Sequence, residues 1–433
     1  MSDLGGVPVP EMEPEHGPDL KYGFNAHEWG VLLPLSLVGL FLNYDTGLLS
    51  LAAPDIADGL GVSVATFGIG VAVIRVGALA SMPVLRLADR LGRRQMLLVS
   101  VLAFTVMTAA TSLAWGLVSF VVFQMVARLF LATEESLAGI VISEELRPDR
   151  RGAGLTLLGG IGMAGFGVVA MMLLAVPHTP LGWRLLYVAA LPPLIGVAWL
   201  RRNLRETQAF TVAQSTARVQ TSFWPRIDAE HRPLLRRITI VLGTHGMLGT
   251  PLFFYSAELA QDGYGWKGLF TVIVIATAPA SLAGYVAGGR MSDRVGRRPV
   301  IVGSTAVMAL GVLAIFSEQR GLFAPGFFLI AGADSALAAV RPSYLSELFP
   351  TEVRATLLAF VFGVVVAAGS VGLLVVGGLD GVVSNRTAIG GLVGVMLLGL
   401  TFMRHMPETA GADVIGSVEV GPVMQQSDRS GTT

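Results

Sequence analysis

Eight ionisable side chains stand inside long apolar runs of this chain: Asp45, Arg75, Arg128, Glu134, Glu135, His245, Asp334 and Arg341. Such a group at the centre of a bilayer costs ~2.5–3.5 kcal/mol on insertion scales, so it normally has a partner or a function. The chemistry open to this set is proton carriage, binding of a polar or charged solute, or static pairing. Asp45 lies roughly 14 residues into its run, about 21 Å at the helical rise. Arg128 reaches the same depth from the other side, so the spacing predicts an Asp45–Arg128 pair. Arg75 either adds a second charge to a pocket or balances Glu134 or Glu135. Asp334 and Arg341 are two helical turns apart and share a face. They contact a solute or pair with the run that holds His245, and His245 is a candidate proton relay. Tyr44, Phe254, Tyr255 and Tyr344 are aromatic candidates for a solute cage, Phe254 by stacking alone.

The elements that must position these groups are helices. The chain has 433 residues, 53% hydrophobic and only 14% charged, with mean hydropathy +0.67. About 20 apolar residues span a bilayer as a helix. Twelve stretches qualify: 31–54, 64–86, 95–114, 116–143, 153–176, 183–200, 238–258, 268–289, 299–316, 322–346, 355–378 and 387–404. A soluble helical protein of this size would show polar helix faces, and these stretches mostly lack them. The fold class expected is an all-α integral membrane protein with six helices in each of two halves, 28–200 and 238–409. A linker at 201–237 joins the halves, and polar tails at 1–27 and 410–433 flank them. The first tail has no basic segment and no apolar core, so it is not a signal peptide.

Arginines mark alternate connections. Arg86, Arg90, Arg93 and Arg94 follow the second stretch; Arg147, Arg150 and Arg151 follow the fourth; Arg290, Arg294, Arg297 and Arg298 follow the eighth. Eight more lie on or beside the linker. The positive-inside rule then puts both termini in the cytoplasm of a multi-pass protein of the cell (inner) membrane. The lipid bilayer is one expected partner. Thirty basic residues balance thirty acidic ones, so no nucleic-acid surface is expected. The absence of cysteine removes thiolate metal sites and cysteine nucleophiles, and no nucleotide loop, metal spacing or nucleophile elbow is present. An enzyme, a cofactor and a metal are therefore not expected.

One pattern occurs twice. Asp89-Arg90-Leu91-Gly92-Arg93-Arg94 returns as Asp293-Arg294-Val295-Gly296-Arg297-Arg298, about 200 residues on. Glu145-Leu146-Arg147-Pro148 with Arg151 returns, more loosely, as Glu347-Leu348-Phe349-Pro350 with Arg354 at almost the same offset. Acids and arginines clustered at a bundle mouth can latch one conformation and release it in another. Asp89, Arg93, Glu145 and Arg151 form one candidate latch; Asp293, Arg297, Glu347 and Arg354 form the other.

These motifs resemble the major facilitator superfamily of secondary transporters, whose loop motif is G-x-x-x-D-R-x-G-R-R. The second copy is complete, with Gly289 four residues before Asp293; in the first, Leu85 replaces the glycine. The run Asn43-Tyr44-Asp45-Thr46-Gly47 followed by Pro54 resembles the first helix of proton-coupled sugar and metabolite symporters. That resemblance implies proton coupling by Asp45 with Arg128. Burial favours the neutral form of a carboxyl and a guanidinium favours the ionised form, so moving the arginine away ties proton uptake to conformation. The fifth stretch lacks the Gly-Pro of drug antiporters, and Gly243-Thr244-His245-Gly246-Met247 lacks the glutamines of hexose carriers. Tyr344 to Arg354 resembles the corresponding junction of metabolite symporters. Pro407-Glu408-Thr409 closes the last stretch in the family's manner, and Leu204-Arg205-Glu206-Thr207 matches it loosely.

The expectation is a monomeric, proton-coupled symporter that imports a small polar metabolite, an organic anion or sugar-like molecule, with protons as the second cargo. Three arginines in the runs, Arg75, Arg128 and Arg341, tilt the choice toward a carboxylate. Tyr44, Arg75, Glu134, Glu135, His245, Tyr255, Asp334 and Arg341 are the candidate substrate-binding residues. An exporter of drugs or metabolites and a non-transporting membrane sensor remain as alternatives.

Overall fold

Local chemistry sets where the helices start and bend. The computed structural model describes residues 24–147, 150–201, 231–349 and 351–409, and these contain helices and no strand. Twelve helices are long and apolar enough to cross a membrane: α1 (Ala26–Leu51), α2 (Val64–Leu85), α3 (Arg93–Ser112), α4 (Leu117–Ile142), α5 (Leu157–His178), α6 (Arg184–Arg201), α7 (Arg232–Gly263), α8 (Lys267–Val295), α9 (Arg297–Ile315), α10 (Arg320–Leu345), α11 (Phe360–Gly378) and α12 (Asn385–His405). All twelve expected stretches are represented. The largest difference is at α7, which begins six residues early and runs on to Gly263. Hydropathy marks only the part of a helix suited to hydrocarbon, while the helix itself continues into polar turns. Most of the expected tails and linker lies outside the described residues.

At the start of α1, Asn25 and Glu28 cap each other. The Asn25 side chain accepts from the Glu28 N–H at 2.8 Å, and Glu28 accepts from the Asn25 N–H at 2.9 Å, a capping box. Both α2 and α8 break along their length, at Ala80 and Thr277. Pro83 and Pro279 follow closely, and each lacks the N–H that would bond the carbonyl four residues back.

Within each half, helices pack backbone to backbone at glycines. Gly165 of α5 lies against the Leu40 carbonyl and the Tyr44 N–H of α1; Gly372 of α11 lies against the Met247 carbonyl of α7. A Cβ at either position would overlap main chain, so these crossings demand glycine.

The halves meet at the end remote from the arginine-rich loops. There the N-terminal part of α2 packs on α11 and the N-terminal part of α8 packs on α5. Phe67 stacks on Phe254 with ring centroids 6.0 Å apart. Gln261 donates to the Leu51 carbonyl at 3.1 Å. Asp55, on the short helix Ala53–Leu60 between α1 and α2, pairs with Lys267 at 3.7 Å. Burial raises the Asp55 carboxyl above its ordinary range, and Lys267 offsets part of this. In the middle of α4 and α10, by contrast, Glu135 is exposed and the Asp334 side chain is 44% exposed. Glu135 is within electrostatic reach of Arg128 and Asp334 touches Arg341, so both face inward. The vestibule between the halves therefore opens toward the arginine-rich end.

Candidate functional site

The first half supplies a buried ion pair at mid-membrane. Arg128 Nη2 of α4 lies 2.8 Å from Asp45 Oδ2 of α1, with 7% and 4% of the two side chains exposed. Arg128 Nη1 also donates to Thr46 Oγ1 at 3.2 Å. Tyr187 of α6 is buried within electrostatic reach of Asp45, and its hydroxyl has no hydrogen-bond partner among the described residues. The depth argument from sequence thus finds both members of the pair, but not Thr46 or Tyr187.

Glu134 and Glu135 part company because neighbours on a helix point about 100° apart. Glu134 is buried and pairs with Arg201, which is fully buried at the end of α6 and also donates to the Pro34 carbonyl at 3.1 Å. This places Glu134 away from the vestibule. Sequence reading assigned Arg201 to the linker and so missed the pair; its place at the very end of an apolar stretch was the available signal. Glu135 opens to the vestibule two turns from Arg128. Arg75 of α2 pairs with neither glutamate among the described residues. Its Nη2 approaches α7 and α11: a Cβ built on Gly369 would sit 2.9 Å from Arg75 Nη2, 2.8 Å from Thr250 Oγ1 and 3.2 Å from the Gly246 carbonyl.

The second half supplies a triad. Arg341 Nη2 is 2.8 Å from His245 Nε2 and 3.3 Å from Asp334 Oδ1, and His245 Nε2 is 3.7 Å from the same oxygen. Arginine only donates, so Nε2 accepts and Nδ1 carries the hydrogen. Asp334 and Arg341 thus pair with each other and jointly with α7. A small cavity beside the triad is lined by His245, Thr305, Leu337, Arg341 and Met396 among others.

The three tyrosines are buried in this conformation. Tyr44 donates to the Leu186 carbonyl of α6 at 2.5 Å. Tyr344 donates to the Pro407 carbonyl at 2.9 Å, and Tyr255 packs where Gly68 and Gly377 approach its hydroxyl. Phe254 stacks across the halves, as already described.

At the arginine-rich end, the second motif copy forms a cluster. Arg297 Nη1 reaches Asp293 Oδ1 at 2.6 Å and Ser292 Oγ at 2.6 Å. Its Nη2 and Nε reach the two oxygens of Glu347 at 3.1 and 3.4 Å. Glu408, beyond α12, accepts from the Arg297 and Arg298 N–H groups at 2.7 and 3.1 Å. A carboxylate there satisfies open donors at the start of α9 and complements the helix dipole. Gly296 has φ 105°, and a Cβ on it would also meet Glu408 Oε2 at 2.6 Å. The sequence showed Pro407-Glu408-Thr409 as a motif without a partner; the structure supplies the partner. The groups named here all belong to the second half, so among the described residues the cluster ties α8, α9, α10 and the end of α12 together. In the first copy, the Asp89 and Arg151 side chains lie outside the described ones, as does Arg354 in the second. Glu145 pairs with His27 at 3.1 Å, and Arg147 pairs with Glu28 at 3.2 Å.

If the second cluster biases the conformational equilibrium, Asp293→Asn and Glu347→Gln will each shift it. An exposed pair is worth about 0.2–1 kcal/mol, so the shift should be at most about fivefold for Asp293→Asn and larger for the less exposed Glu347. The chain has no native cysteine, so single cysteines placed at either mouth report the shift by labelling rate. Unchanged rates in both variants would refute the latch.

Comparison with known proteins agrees with this architecture. The chain is 25% identical to a gallate transporter of Pseudomonas putida, over 78% of this chain and 82% of that protein. It is 25% identical to the proline/betaine transporter of Escherichia coli strain K12, over 93% of this chain and 85% of that one. The solved D-xylose-proton symporter superposes with a TM-score of 0.74 at 17% identity, over 88% of this chain and 98% of the other. The Major Facilitator Superfamily model matches residues 35–288 and 269–419, across both halves, the ion pair and the repeated loops; the chain belongs to the major facilitator superfamily.

Proposed function

We propose that this membrane transporter, which is not an enzyme, is a proton-coupled symporter. It imports a small polar metabolite, an organic anion or a sugar-like molecule, by alternating access. The observation that carries the reading is the buried Asp45–Arg128 pair at 2.8 Å. A carboxyl whose ionised form depends on one movable guanidinium takes up a proton when the pair separates and releases it when the pair re-forms. The relatives fit this reading: one bears the name of gallate, one of proline and betaine, and the structural neighbour that of a D-xylose–proton symport. With the arginine-rich loops in the cytoplasm of the cell (inner) membrane, the present conformation is open inward.

The test is uptake into proteoliposomes of gallate, proline, glycine betaine and D-xylose, with and without an imposed proton gradient. One or more of these should accumulate only when the outside is acidic, and a protonophore should abolish that accumulation. Accumulation indifferent to the gradient would reject proton coupling. Accumulation driven by the reverse gradient would identify an exporter.

A further inference from the structure

The substrate class follows from one arginine without an acid beside it, given the transporter reading above. Besides Arg297 and Arg386 at helix starts, three helix arginines have acids: Arg128 has Asp45, Arg201 has Glu134 and Arg341 has Asp334. Arg75 has none. It forms no hydrogen bond and no ion pair among the described residues, and its Nε is buried without a partner. Arg128, of the same sign, lies within electrostatic reach. A guanidinium in that position lacks a counter-anion from the protein.

We propose that Arg75 binds a carboxylate of the substrate, at a site between α2, α7 and α11 that Thr250 completes. A guanidinium fork matches the two oxygens of a carboxylate, and the Thr250 hydroxyl adds a donor beside it. Gly369 and Gly246 form the facing wall, where a Cβ on Gly369 would sit 2.9 Å from Arg75 Nη2 and 2.8 Å from Thr250 Oγ1. Glycine at 369 thus lets the guanidinium and the Thr250 hydroxyl approach the α11 backbone side by side. Glu135, exposed in the same vestibule and with no ion pair among the described residues, disfavours a dianion, so the ligand is a monocarboxylate, with or without a compensating positive charge. Arg75 belongs to the first half, and Thr250 and Gly369 to the second. A carboxylate bound here touches both halves, and its occupancy is linked to their separation.

The experiment uses the full chain in proteoliposomes, with gallate, proline and glycine betaine as carboxylate probes and D-xylose as the uncharged one. Because the chain has no cysteine, Arg75→Cys gives a unique thiol. A charge-assisted contact is worth roughly 10- to 100-fold in affinity, and carboxylate uptake at low concentration should fall by about that factor. Reaction of the thiol with aminoethyl methanethiosulfonate, which restores a cation, should recover uptake, whereas the neutral methyl reagent should not. Arg75→Lys, which keeps the charge and loses the fork, should raise KM with little change in kcat. Unchanged carboxylate uptake in Arg75→Cys, or equal recovery with the neutral reagent, would overturn the proposal. Uptake of D-xylose with no carboxylate taken up would overturn it while leaving the transporter reading intact. Uptake of none of the four would overturn both.

Discussion

Asp45→Asn should abolish uphill accumulation while leaving exchange of substrate across the membrane partly intact, because exchange moves no net proton. One charge crossing 100 mV is worth ~2.3 kcal/mol, or roughly 50-fold accumulation per coupled proton. In the variant that ratio should fall to about one. The structural basis is the pairing of Asp45 with Arg128 at 2.8 Å inside a nearly dry contact. A rival account makes this pair a static element of packing. On that account Asp45→Asn strands a buried guanidinium at a cost of ~3–5 kcal/mol and lowers folding yield, and the double variant Asp45→Asn, Arg128→Gln recovers both yield and accumulation. On the coupling account the double variant folds but does not accumulate. Proton-driven accumulation in a well-expressed double variant would therefore eliminate Asp45, and Glu135 and Asp334, the acids open to the vestibule, would become the coupling candidates.

The second large effect is on stability. Glu134→Gln should destabilise the protein by ~3–5 kcal/mol, because Arg201 would stay fully buried without its acid. The Pro34 carbonyl, which Arg201 also contacts, carries only a partial charge and does not replace a carboxylate. Substituting both partners, Glu134→Leu with Arg201→Met, should restore the melting temperature to the native value or above it, since well-packed apolar pairs often match or exceed a buried ion pair. Thermal denaturation of the purified protein in detergent, followed by monodispersity, measures this. If Glu134→Gln melts like the native protein and instead weakens substrate uptake, Glu134 is a ligand of the substrate and not a member of a structural pair.

What the sequence by itself determined is what one dimension can hold. Hydropathy is a property of a segment, so it yields twelve helices and their order. Arginine placement and the twice-written Asp-Arg-x-Gly-Arg-Arg motif divide them into two halves. Depth is a count of residues multiplied by a fixed rise, which is why Asp45 and Arg128 could be matched from the sequence. Rotation about each helix axis is another matter, because these helices are apolar around most of their circumference and their periodicity does not say which face turns inward. Packing decides that. The close crossing of α1 on α5 at Gly165 accompanies a Tyr44 whose hydroxyl is taken up by the Leu186 carbonyl. Packing also sends Glu134 to Arg201 and leaves Glu135 in the vestibule. Pairings between distant segments were likewise decided only in three dimensions. Glu408 reaches the first turn of α9 across 111 residues, and Arg75 ends beside Thr250 and Gly369, because the chain folds back on itself and not because anything near those residues in sequence requires it.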